Sequence, residues 1–96
     1  MALAQAFSVG LFAGGNNESF LIGTYLAQEK MEEIKNKSYS SITNETKATV
    51  TGFTPFQREV AVSVPQTDLK EITVTVYWFN KGDELSTNLV TYVSNI

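Results

Sequence analysis

From Ser19 to about Lys37 the apolar positions recur at spacings of three and four. Phe20, Gly23 or Thr24, Ala27, Met31 and Ile34 form one narrow stripe, with Ile22 and Leu26 widening it on one flank. Gln28, Glu29, Lys30, Glu32, Glu33 and Lys35 occupy the other faces. The spacing predicts an amphipathic helix that lays one edge on a partner layer and leaves the rest in water. Glu29 and Glu33 repel mildly, Lys30–Glu33 and Glu32–Asn36 are surface contacts, and Lys35 and Lys37 suit the negative end of the helix dipole. Gly14-Gly15-Asn16-Asn17 breaks the chain ahead of this helix. Asn16 or Asn17 can cap it, with Glu18 in the first turn.

Beyond "NKSYSSITNE" the period changes to two. A strand is expected over Thr46–Thr54. A stronger one runs over Phe56–Val64, with Phe56, Val60, Val62 and Val64 on one face and Gln57, Glu59, Ala61 and Ser63 on the other. Pro55 and Pro65 are expected to bracket this strand, because proline cannot donate to a central ladder. "PQTDLK" reads as a turn. Lys70–Asn80 is the clearest strand: Ile72, Val74, Val76 and Trp78 form the expected core face, and Thr73, Thr75, Tyr77 and Phe79 a half-solvated one. Asn80-Lys81-Gly82-Asp83 is a hairpin turn. The last strand, Glu84–Ser94, sets Leu85, Leu89 and Val93 against Val90 and Tyr92.

Sequential strands with short links pair as an antiparallel meander. Such a sheet leaves one apolar face uncovered, and the helix stripe is the element available to cover it. The expected fold class is therefore α+β, one N-terminal helix packed on a four-stranded antiparallel sheet. Phe20, Ala27, Met31 and Ile34 would pack against Val74, Val76 and Trp78. Each large side chain buried in this way contributes about 1.5–3 kcal/mol.

The first fifteen residues, "MALAQAFSVGLFAGG", carry no charge. They fall short of the roughly 20 apolar residues that span a bilayer and lack the basic start of a secretory signal. Three readings are open: a signal remnant, a core helix or strand, or the end of a longer apolar helix. The last is preferred, which divides the chain into a helix remnant over 1–15 and a globular domain over 16–96. Phe7, Leu11 and Phe12 are then expected to fray, fold back on the sheet or pair two copies.

Composition narrows the chemistry. The chain has 96 residues, room for one domain, and buries roughly 60–65% of its unfolded surface. It contains no cysteine and no histidine, which removes disulfides, thiolate chemistry and the commonest neutral-pH base and metal ligand. A net charge of -3 argues against a nucleic-acid partner. Glu29, Glu32 and Glu33 read as a solvated helix face. Asp83 and Glu84 beside Gly82 offer too few oxygens for calcium, which takes about six to eight. Arg58 and Glu59 point to opposite faces and are expected to make ordinary surface or cross-strand contacts. The "GLFAG" spacing of Gly10 and Gly14 is weak evidence for close helix packing. "NET" at 44–46 is formally a glycosylation sequon. Serine, threonine and tyrosine are plentiful, but no base is placed to activate them. No catalytic, cofactor or metal residue is assigned, and an enzyme is not expected.

"YLAQEKMEEIKN" followed by four strands resembles the type IV pilin family, and within it the minor pilins and the minor pseudopilins of type II secretion. Leu26, Ala27, Gln28, Met31, Glu32, Glu33 and Ile34 match the helix ending of that branch. Lys70, Ile72, Val74, Val76, Trp78, Gly82, Leu89 and Thr91 match its strand and Gly-containing hairpin. The likeness covers about residues 20 to 94. The family's basic leader, cleavage site, aromatic first residue, nearby glutamate and apolar stretch have no counterpart here. The resemblance implies a structural subunit of a type IV pilus or type II secretion system. It would sit in the bacterial cell envelope, anchored in the inner membrane by a missing N-terminal helix, with a periplasmic domain or within a surface filament; this fragment alone would be soluble. Other pilin or pseudopilin subunits are the implied partners, and self-association of the fragment is a further one. Tyr77, Phe79 and Tyr92, with the outer helix face, are the candidate partner contacts. The alternative is a soluble module that binds a peptide or glycan at an open sheet edge.

Overall fold

The structure is a computed structural model and describes residues 3–4 and 17–95. The chain runs as strand β1 (Leu3–Ala4), helix α1 (Asn17–Lys35), a 3-10 turn at Tyr39–Ser41, and strands β2 (Glu45–Val50), β3 (Phe53–Gln66), β4 (Leu69–Asn80) and β5 (Asp83–Ser94). The strands form one antiparallel sheet in the order β1-β5-β4-β3-β2. The fold is α+β: one helix lies across one face of a four-stranded antiparallel meander, with the two residues of β1 added at its β5 edge. The expected helix remnant over 1–15, and with it Phe7, Leu11, Phe12 and the Gly10–Gly14 pair, lies outside the described residues except for Leu3 and Ala4. Those two pair with Val93 and Tyr92 as strand. No helix of the described residues is long and apolar enough to cross a membrane.

The second half of α1, "LAQEKMEEIK", is built almost wholly of strong helix formers. Glu18 occupies its first turn and Lys35 its last, as the dipole favours. It closes with tighter bonds, from Asn36 N to the Glu33 carbonyl and from Lys37 N to the Ile34 carbonyl, at 3.2 and 3.0 Å. Ala27, Met31 and Ile34 are buried, and Phe20 packs half-buried against the core. Leu26, expected on the flank, is fully buried at the centre of the contact. Lys30, expected on a wet face, is buried as well. Its stem runs along the sheet side of the helix, and its ammonium emerges at Glu33 (3.1 Å) and Glu45 (2.9 Å).

Opposite the helix lie Val60, Ile72, Val74, Val76, Trp78, Leu89 and Val93, all buried. Phe56 packs against Trp78 with ring centroids 5.9 Å apart. Val64 departs from the expected core face of β3 and is exposed. The covering layer ends before it. Past the helix the cover is the loop through Ile42, held by Lys70 Nζ donating to the carbonyls of Tyr39 (2.6 Å) and Ile42 (2.9 Å). Asn44 Oδ1 then accepts from the backbone of Val62, at 2.7 Å. Val64 lies farther on, towards the Thr67-Asp68 turn.

Three two-residue turns join the four long strands. Gly52 and Gly82 both take φ of 85°. The first of these cuts the strand expected over Thr46–Thr54: Val50 pairs with Phe53, so Thr51-Gly52 is a hairpin turn. Nor do the prolines lie outside β3. Pro55 and Pro65 fall within it, where its ladders to β2 and β4 lose register, between Phe53 and Gln57 and between Ser63 and Gln66. A missing N–H is tolerated where pairing is already interrupted.

Candidate interaction surface

The helix covers one face of the sheet and leaves the other open. Alternation puts Glu59, Ala61 and Ser63 of β3 on that open face. β4 adds Glu71, Thr73, Thr75, Tyr77 and Phe79, and β5 adds Glu84, Ser86, Asn88, Val90 and Tyr92. Tyr77, Phe79 and Tyr92 all lie here. Phe79 has 63% of its surface exposed, and its cross-strand partner is Glu84. Tyr92 stands at the other end of the face, paired across the strands with Glu71. Six residues of strand separate it from Tyr77, a distance of about 20 Å, so the three aromatics do not form one patch.

Tyr77 and Tyr92 are each tied to a carboxylate. Tyr77 donates to Glu59. Burial, the bond to Glu59 and the charges of Glu59 and Glu84 push its phenol up to about 12. Lys47 Nζ sits over the Tyr77 ring, 3.9 Å from its centroid, and 2.7 Å from Glu84 Oε2. Tyr92 donates to Glu71 at 2.7 Å, and that hydrogen bond raises its phenol above the usual value. Ser63 Oγ donates to the same carboxylate at 3.1 Å.

Among the described residues, grooves run along the helix on the covered side. One, of about 330 Å³, lies between α1 and β5 and is lined by Gln28, Met31, Glu32 and Leu89 among others. Another, of about 450 Å³, lies between α1 and β2 and carries Glu29, Lys30, Glu33, Glu45 and Arg58. Its charges are paired with one another. Arg58 Nη1 donates to the carbonyl of Leu26 (2.9 Å) and to Glu29 (3.1 Å). Lys37 approaches Glu45 at 3.7 Å. Burial opposes ionisation of Glu45, but the bonds and charges of Lys30 and Lys37 prevail and hold its carboxyl below the usual range. Glu32, beyond the groove, lies 3.8 Å from Lys35. Among the described residues no three acidic side chains converge as a metal site.

Arg58 thus joins the sheet to the helix backbone, in place of the ordinary surface contact expected of it. The signal was present: Arg58 shares its parity with Phe56 and Val60, so it had to reach the helix. Lys70 likewise shares parity with Ile72 and reaches the loop carbonyls. Lys47 carried no such signal, because its place over Tyr77 depends on how β2 pairs with β3.

No family model, curated protein or solved structure matches the chain.

Proposed function

We propose that the chain is a non-catalytic structural subunit that works by assembling with related subunits. In the reading we favour it is a minor pilin or minor pseudopilin of a type IV pilus or type II secretion system in the bacterial cell envelope. An apolar helix ahead of the globular domain would hold it at the inner membrane. Support comes from a helix leading into an antiparallel meander, the architecture that the resemblance implies. The observation that carries the reading is the open sheet face with Phe79 uncovered at its centre strand, since a large exposed aromatic on a flat, rigid surface is a common anchor of protein contacts.

Co-fractionation in the native cell tests this. The wild-type chain should co-purify with sheared surface filaments or with an envelope assembly of helix-plus-sheet subunits. Phe79→Asp should fold normally and drop out of that fraction. A wild-type chain found wholly outside any such assembly would end the proposal.

One observation favours a second reading, a soluble module that captures an extended peptide by strand addition. The outer edge of β5 already accepts Leu3–Ala4 in antiparallel register. A peptide bound in that way would protect backbone amides along a sheet edge and leave the open face unchanged.

A further inference from the structure

Charge is unevenly divided between the two sides of the sheet. Five of the seven cationic side chains, Lys30, Lys35, Lys37, Arg58 and Lys70, belong to the helix side, where carboxylates or backbone carbonyls receive them. Among the described residues, the open face carries the carboxylates of Glu59, Glu71 and Glu84 against the ammonium of Lys47, with Lys81 at the turn beside it. This face is negative and holds the exposed ring of Phe79.

The face already seats one cation. Lys47 lies over the Tyr77 ring with Glu84 closing the pair, the arrangement by which an aromatic face and a carboxylate together receive an ammonium or guanidinium. Two residues along the same strand, Phe79 offers a second aromatic ring that is 63% exposed. It points to the same side as Tyr77, and Glu84 stands directly across from it in the β4–β5 register.

We propose that the open face takes a partner surface bearing lysine or arginine, with the Phe79 ring and the Glu84 carboxylate receiving the cation. Lys47 is the internal occupant of the neighbouring position and competes for Glu84. Burial raises the Tyr77 phenol first, and the bond to Glu59 with the charges of Glu59 and Glu84 raises it further. The inference rests on the reading of this face as the contact surface and adds the chemistry of what binds there. Neither groove beside the helix offers as much: one has its charges internally paired, and nothing in the structure shows what would cover the other.

The test is a titration of the intact chain with oligolysine and oligoarginine, followed by backbone amide shifts. Oligoglutamate and a neutral oligosaccharide serve as the other arms. The basic peptides should move amides of Thr75, Tyr77, Phe79, Glu84 and Ser86 and weaken as salt rises. Glu84→Gln should weaken binding at least about fivefold and Phe79→Leu several-fold. Lys47→Ala should strengthen it several-fold, and by more than Lys81→Ala, which removes the same charge from the turn. Absence of binding by the basic peptides overturns the proposal, as does unchanged affinity in Glu84→Gln and Phe79→Leu, or a preference for the oligosaccharide. If the basic peptides fail while co-fractionation holds, the contact face stands and only its cation chemistry falls. If they bind while co-fractionation fails, the cation-receiving face stands and the assembly into a filament or envelope complex falls.

Discussion

A β-carbon placed on Gly23 would stand 2.8 Å from Cζ3 of Trp78. The helix therefore comes so close to the indole at this point that a hydrogen is all that fits between them. Thr87 stands at the same spot, with its methyl 3.3 Å from that position. Gly23 weakens the helix in isolation and is repaid in packing, since it lets α1 settle onto β4 and β5 over Trp78.

Replacing Gly23 with alanine sets two effects against each other. Helix propensity gains about 1 kcal/mol, while the forced shift of a buried indole costs about 1–3 kcal/mol. The clash should prevail, with a net loss of about 1 kcal/mol in denaturant unfolding. In a Trp78→Leu background, where the ring is gone, the same substitution should become stabilising. That reversal of sign distinguishes a packing contact from a generic helix effect.

Arg58 Nη1 gives its hydrogen bond to Leu26 O at mid-helix, with Glu29 alongside. Arg58→Leu should lower stability by about 1–3 kcal/mol, as expected for the loss of a charge-assisted hydrogen bond and an ion pair. Arg58→Lys should recover only part of this, because the lysine ammonium stands on a shorter stem than the Nη1 that reaches both acceptors. Urea midpoints of the three proteins would show the order.

Acid should weaken the fold through Glu45. Its carboxyl in the folded protein lies below the ordinary 4.5, held there by Lys30 and Lys37 against the effect of burial. A carboxylate depressed on folding contributes stability above its unfolded value, and that contribution is lost as pH falls through its folded value. Glu45→Gln should therefore be less stable than wild type at neutral pH, by up to about 1 kcal/mol, since Glu45 keeps a third of its side chain in solvent. The gap should close below 4.5. Equal pH profiles for the two proteins would show that the Lys30–Glu45 contact contributes nothing.

At the β4–β5 turn Lys81 takes φ of 56° and Gly82 φ of 85°. Left-handed backbone costs an ordinary L-residue about 1–2 kcal/mol and asparagine less. Lys81→Asn creates the favoured Asn-Gly hairpin and should stabilise by about 0.5–1 kcal/mol. Gly82→Ala should cost about 1–2 kcal/mol. Thermal melts at equal ionic strength would check both.

Alternation made most of this fold readable. Ile72, Val74, Val76 and Trp78 needed only a period of two to be placed in the core, and the stripe of Ala27, Met31 and Ile34 needed only spacings of three and four. The same rule put Tyr77, Phe79 and Tyr92 on the far side of the sheet. What escaped depended on where layers end and where registers break. Val64 obeys the strand's parity, yet the covering loop ends before reaching it. Thr51-Gly52 was hidden inside a run of good strand formers, and only the left-handed glycine marks the turn. The charge at the head of Lys30 favours water, while its burial is decided along the stem. The carboxylates of the open face were legible one by one. Their concentration around Lys47 emerged only once the meander brought three strands side by side.

We propose that this protein acts through the uncovered face of its sheet. The most direct measurement is photo-crosslinking in the native cell from a benzoylphenylalanine at position 79, compared with one at Glu32, at the groove between α1 and β5. Position 79 should give a discrete adduct with another helix-plus-sheet subunit, and position 32 little. Adducts formed from position 32 alone, with position 79 silent, would contradict it.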